Sequence, residues 1–318
     1  MRRLAAILAL TLTLCACAEF PPPMPPESIA PADADAVTLA AMAAHETLPP
    51  ETMPPEPEPP PMPLPDSVDT NITDETARAL VADMAALADE WSVAISYISG
   101  DGAWYASVNG AEVFPSASTI KPMYCQYLVE AGVDMTREIT HNVTLNRTSI
   151  TGRFTEDALG ERFTVEELMR AAVGSSDNMA YRILFSAFGR WGYNAWAEEI
   201  GVPELVFPTP YEFLDVTAPD LSRGMLAILQ RDGDGIVAGM MKDAVRKVQI
   251  AAGTRWECAS KYGFEGWTLG YHDTAIVYAP APYVLTVMSH IFAYDTDADV
   301  PFEEAARLAD AVNAALFE

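Results

Sequence analysis

Residues 92–121 read SVAISYISGDGAWYASVNGAEVFPSASTIK, and the fold is decided here. Ser92 to Ser99 alternates apolar and polar side chains, Gly100-Asp101-Gly102 supplies turn chemistry, and Ala103 to Val108 returns, which predicts a hairpin of two strands. Phe114-Pro115 then leads into a helix over about Thr119 to Glu130. Upstream, Thr73 and Thr76 precede Leu80, Val81, Met84, Leu87 and Trp91 at helical spacing, a capped amphipathic helix beginning near Asn71. Downstream, the stretch from Val165 through the Met240 region predicts mainly helix, with starts at Thr164, at Ser176 and near Pro219. Arg255 to Lys261, Thr268 to Tyr278 and Tyr283 to Phe292 predict three more strands. Phe302 to Phe317 predicts a last helix with Ala305, Leu308, Ala309, Val312 and Leu316 on one face. The order helix, two strands, helical block, three strands, helix predicts an α/β (α+β) fold. A five-stranded antiparallel sheet is flanked by the N- and C-terminal helices, the all-helical block is inserted as a second lobe, and the active site lies between lobes.

Composition supports a packed globule and excludes one class of partner. Half of the 318 residues are hydrophobic, enough for one large core. The formal net charge of -26 repels phosphate backbones, so nucleic acid is not an expected partner. His45, His141, His272 and His290 are scattered without metal-ligand spacing, and Asp295, Asp297 and Asp299 lack the Gly and Glu of a calcium loop, so no metal or other cofactor is expected. A monomer is expected.

The first residues predict export. Arg2 and Arg3 form a charged start, Leu4 to Leu14 an apolar stretch too short to span a bilayer, and Leu14-Cys15-Ala16-Cys17 resembles the bacterial lipobox. The resemblance implies a signal peptide over residues 1–16, lipidation of Cys17, and anchoring to the membrane of a bacterial cell envelope, facing periplasm or exterior. Residues 21–65 hold 16 of the 25 prolines, and no Lys or Arg occurs between Arg3 and Arg78, so residues 17–70 predict an acidic, disordered tether, and residues 71–318 the folded domain. A Pro-rich docking motif is the competing reading of that stretch. After processing and lipidation of Cys17, only Cys125 and Cys258 could pair, and they are either one bridge or two buried thiols.

Ser118-Thr119-Ile120-Lys121 puts a hydroxyl and an amine on one helical face. A serine hydroxyl needs an adjacent base to become a nucleophile, and a lysine serves as that base once desolvation or nearby positive charge makes its neutral form accessible. The chain has 15 Arg but only 4 Lys, so it matters that a second lysine opens Lys261-Tyr262-Gly263, with Ser176-Asp177-Asn178 between. This set, in this order, resembles the Ser-x-x-Lys, Ser-Asp-Asn and Lys-Thr-Gly motifs of the class A serine β-lactamases and their penicillin-binding relatives. The 58-residue step from Ser118 to Ser176, Phe114-Pro115 before the nucleophile, Val173-Gly174-Ser175 before Ser176, and Gly270 and Asp273 within the stretch from Gly263 to Val277 add to the likeness, which covers about Thr73 to Phe317.

The resemblance implies a serine hydrolase in which Ser118 attacks a carbonyl and Lys121 takes its proton, Ser176 passes a proton to the leaving nitrogen, and Asn178 holds Lys121 and the substrate amide. Lys261 would support Ser176 and attract a substrate carboxylate, and the backbone N–H groups of Ser118 and Phe264 would form the oxyanion hole, with Gly263 allowing close approach. Tyr262 departs from the family's small hydroxyl residue. The segment Gly201 to Thr217 is short and lacks the family's Glu-x-x-x-Asn pattern. Glu204 and Glu212 are the carboxylates offered there for deacylation, with solvated loop charges as the competing reading, so slow deacylation is expected. Substrates implied are β-lactams or D-Ala-D-Ala-like amides. The alternatives are a D,D-peptidase acting on peptidoglycan peptides, and a non-catalytic envelope lipoprotein that keeps the fold to bind.

Overall fold

The computed structural model describes residues 63–144, 154–244, 247–266 and 270–318. The signal stretch, Cys17, His45 and most of the proline-rich segment lie outside the described residues. In chain order the elements are β1 (Val68–Thr70), α1 (Glu75–Trp91), β2 (Val93–Ser99), β3 (Tyr105–Val108), β4 (Phe114–Pro115), a 3₁₀ turn (Ala117–Ile120), α2 (Lys121–Glu130) and β5 (Glu138–Thr140). They continue with β6 (Arg162–Thr164), α3 (Val165–Gly174), α4 (Asn178–Phe188), α5 (Trp191–Glu199), β7 (Asp215–Val216), α6 (Ala218–Asp232), α7 (Ile236–Lys242) and α8 (Ile250–Gly253). β8 (Cys258–Glu265), β9 (Gly270–Val277), β10 (Tyr283–Ser289) and α9 (Val300–Phe317) close the chain.

The main sheet is antiparallel in the order β1-β3-β2-β10-β9-β8, so it has six strands where five were expected. The additional strand, β1, comes from residues read as tether. Val68 pairs with Val108 and Thr70 with Ala106, and the Thr70 hydroxyl donates to the Tyr105 carbonyl at 2.6 Å. The pairing satisfies polar groups that β3 would otherwise leave open at a sheet edge. At the other edge stands β8.

Both faces of the sheet are covered, which is why its strands are apolar almost throughout. Tyr283, Leu285 and Val287 of β10 face α1 and α9 together with Val81, Met84, Phe302 and Ala309. Val284 and Met288 face the helical block together with Ile120, Met123, Leu221 and Met225. Polar pins fix the layers: Tyr97 Oη donates to Asn313 Oδ1 at 2.9 Å, and Ser222 Oγ of α6 donates to Thr286 Oγ1 at 2.8 Å. Cys125 and Cys258 are free and buried, one in each of these two cores, with the sheet between them.

Several boundaries move by a few residues for identifiable reasons. Helix α1 is capped by Asp74, which accepts from Ala77 N at 2.9 Å, rather than by Thr73. Thr164 and Thr217 cap α3 and α6 through capping boxes. Helix α4 starts at Asn178 rather than at the expected Ser176, because the Asp177 side chain accepts from Met179 N and Ala180 N and leaves Ser176 outside. Strand β8 starts at Cys258 rather than Arg255, because Asp310 holds the Thr254 hydroxyl and the Arg255 amide in a turn. Lys261 therefore sits in mid-strand. No helix among the described residues is long and apolar enough to cross a membrane.

Candidate active site

The Ser118 turn is built under strain. Ala117 has φ 45°, a left-handed conformation uncommon for a residue with a side chain, and the chain then tightens into the 3₁₀ turn that carries Ser118. The Lys121 amide donates to the Ser118 carbonyl, which ties the two residues into one turn. Short strand β4 pairs with β7, and Ser116 exchanges bonds with Leu214: Ser116 N donates to the Leu214 carbonyl at 2.6 Å, and Leu214 N to Ser116 Oγ at 3.1 Å. Ser118 keeps 8% exposure while Lys121 has none, so the hydroxyl borders solvent and the amine is dry.

Lys121 Nζ donates to the Ser176 carbonyl at 2.8 Å and to Asn178 Oδ1 at 2.5 Å. Burial pushes its pKa well below the ordinary lysine value; Lys261 and Arg182 push the same way, while Asp177 and Cys125 oppose them. The amine is thus biased toward the neutral form that a proton acceptor requires. Ser176, at φ 59°, is the pivot between the two lysines: its carbonyl faces Lys121, and its hydroxyl accepts from Lys261 Nζ at 2.9 Å. Lys261 also donates to the Tyr262 carbonyl at 2.8 Å and lies 4.2 Å from the Tyr262 ring centroid. Burial brings its pKa down to about 7, against the opposing charge of Asp273.

Gly263 explains how β8 comes so close to the nucleophile. A Cβ placed there would lie 3.0 Å from Thr119 Cγ2 and 3.2 Å from both Ala117 Cβ and the Ser116 carbonyl oxygen. A side chain there would make the edge strand and the 3₁₀ turn give way by a few tenths of an ångström, so glycine permits the close approach. Phe264 turns its ring to the α1 and α9 side of the sheet, 5.8 Å from Tyr294, so what it offers the cleft is backbone.

The two deacylation candidates separate. Glu204 lies on the surface, its side chain 52% exposed, 3.8 Å from Arg223 of α6, and fits the solvated-loop reading. Glu212 is turned inward and accepts from Arg182 Nε. Sequence reading missed Arg182, whose one signal is its place a helical turn beyond Asn178 on α4. The remaining histidines do other things: His272 is buried and held neutral, its pKa lowered to about 3 by desolvation, and His141 Nε2 lies 3.1 Å from the Thr155 carbonyl. Among the described residues no three His, Cys, Asp or Glu side chains are grouped to hold a metal.

A serine and a buried lysine on one turn, a second serine between two lysines, and a glycine-bearing edge strand lying on that turn define a serine hydrolase on the β-lactamase/transpeptidase fold. Residues 74–314 match the model described as the beta-lactamase enzyme family. The chain belongs to that family and is a serine hydrolase of β-lactamase type. It is 27% identical over 205 residues to beta-lactamase AER-1 of Aeromonas hydrophila, covering 57% of this chain and 67% of that one. A solved beta-lactamase from Streptosporangium roseum has a TM-score of 0.61 at 19% identity, covering 74% of this chain and 99% of that one. A structure of a PBP-A point mutant, solved as an acyl-enzyme complex with penicillin G, gives 0.62 at 20% identity, covering 74% and 97%.

Proposed function

We propose that the protein is an exported, lipid-anchored hydrolase that forms an acyl-enzyme on Ser118 with β-lactams or D-Ala-D-Ala-like amides. The carrying observation is the double use of Ser176, whose carbonyl and hydroxyl are each bonded to one of two buried lysines. In acylation, Ser118 Oγ forms the ester bond as the amide C–N bond breaks, Lys121 accepts the hydroxyl proton, and Ser176, poised by Lys261, hands a proton to the departing nitrogen. The backbone amides of Ser118 and Phe264 take the oxyanion. Deacylation is the slow step in this reading, because Glu204 faces solvent and Glu212 is committed to Arg182. The anchor is Cys17, on the bacterial envelope face open to periplasm or exterior.

Two assays divide the substrates. Turnover of a chromogenic cephalosporin, against release of D-alanine from an acyl-D-Ala-D-Ala peptide, separates hydrolysis of β-lactams from D,D-peptidase action. Absence of both, with no acyl adduct, would leave a non-catalytic envelope protein.

A further inference from the structure

Lys261 has few directions left in which to meet a ligand. Its ammonium donates to Ser176 Oγ at 2.9 Å and to the Tyr262 carbonyl at 2.8 Å, and the Tyr262 ring stands over it at 4.2 Å. The residue keeps 1% exposure. An ammonium has three N–H donors, two of which are engaged here, and the ring turns its π-face to the nitrogen, a contact that strengthens when desolvated. Asp273, opposite Tyr262 in the β8–β9 register, adds its negative charge to the surroundings of Lys261.

We propose that Tyr262 is a specificity-determining residue that weakens the anion subsite at Lys261, so that a free carboxylate on the leaving portion of a substrate gains little there. The inference rests on the Ser118 acylation proposed above and concerns its substrate preference.

The test uses two thioesters of N-benzoyl-D-alanine, one with mercaptoacetate and one with methyl mercaptoacetate as the leaving thiol. They differ only in the leaving portion, which ends in a free carboxylate in one and in its methyl ester in the other. In each, Ser118 Oγ forms an ester as the C–S bond breaks, and the hydroxyl proton passes through Lys121 and Ser176 to the departing sulfur. The readout is kcat/KM for thiol release, normalised to each compound's uncatalysed hydrolysis and compared within each variant, so that a general loss of folded protein cancels. Wild type is expected to favour the methyl ester or to treat the two alike. Tyr262→Thr should move the ratio toward the carboxylate tenfold or more, and Tyr262→Phe, which keeps the ring, should leave it within about twofold. A wild-type preference for the carboxylate of tenfold or more, or a ratio unmoved in Tyr262→Thr, overturns the inference. Absence of thiol release above a Ser118→Ala control with either compound overturns the acylation reading and this inference with it.

Discussion

Lys121 illustrates how the surroundings of one side chain shift its protonation. Its lowered pKa has burial as the chief cause, so the neutral amine is populated at lower pH than for a lysine in water. Lys121→Ala should therefore cut acylation of Ser118 by about 10²- to 10⁴-fold, the usual worth of a positioned base. Burst size and rate with a fluorescent penicillin, beside a thermal melt showing a folded protein, check this; adduct formation at the wild-type rate would point to another base. Lys261 carries a separate pH signature. With a folded pKa of about 7 and an unfolded value near 10.4, the unfolded chain binds a proton between those values that the native protein does not. Stability should accordingly rise with pH across pH 7 to 9, by up to about 1.4 kcal/mol per unit from this group. Lys261→Met should flatten that rise in melts at pH 7, 8 and 9, and an unchanged slope would contradict the account. At this scale the residues of the three motifs do meet in the structure: Lys121, Ser176, Asn178 and Lys261 are linked by hydrogen bonds, and Ser118 shares a turn with Lys121. Arg182 was not legible, because a guanidinium one turn past a motif has no pattern of its own, and only the folded loop brings Glu212 to it.

The elements matter through two close approaches. Strand β8 lies closely on the Ser118 turn at Gly263, and Gly263→Ala should push strand and turn apart by a few tenths of an ångström. Acylation should drop by about 10- to 100-fold, as misplacement of reacting groups does, with overpacking costing about 1 to 3 kcal/mol in stability. Single-turnover acylation beside a denaturant melt checks both numbers. The second approach is that of the loop before β7, bonded to Ser116 and held by Arg182–Glu212. With its carboxylate committed there, acylation should outrun deacylation, so stopped-flow hydrolysis of a chromogenic cephalosporin should show a burst and then a slow steady state. A positioned base is worth about 3 to 5 kcal/mol of barrier. Linear progress at tens of turnovers per second, lost in Glu212→Gln, would reverse the reading and make Glu212 the base. Periodicity and turn residues were enough to read helix, hairpin, helical block, three strands and helix. They did not reveal β1, whose three residues make sense only beside β3, or the start of β8, which Asp310 sets from 55 residues away.

On the scale of the whole molecule, two stretches of the chain differ in composition and packing. Residues 17–62 combine proline with acidic residues, whereas the sheet and helices of the described residues bury two cores. If Cys17 carries the lipid on a disordered tether, Cys17→Ser should move the protein from the membrane to the soluble fraction with its acylation rate unchanged within about twofold. Fractionation followed by penicillin labelling checks both halves of that statement. The central claim, that Ser118 is an acylating nucleophile, meets its most direct test in intact-protein mass spectrometry after exposure to benzylpenicillin. The account predicts a mass increase of one penicillin per chain, lost in Ser118→Ala. No adduct on the folded wild-type protein, with no turnover, or an adduct that persists in Ser118→Ala, would contradict it.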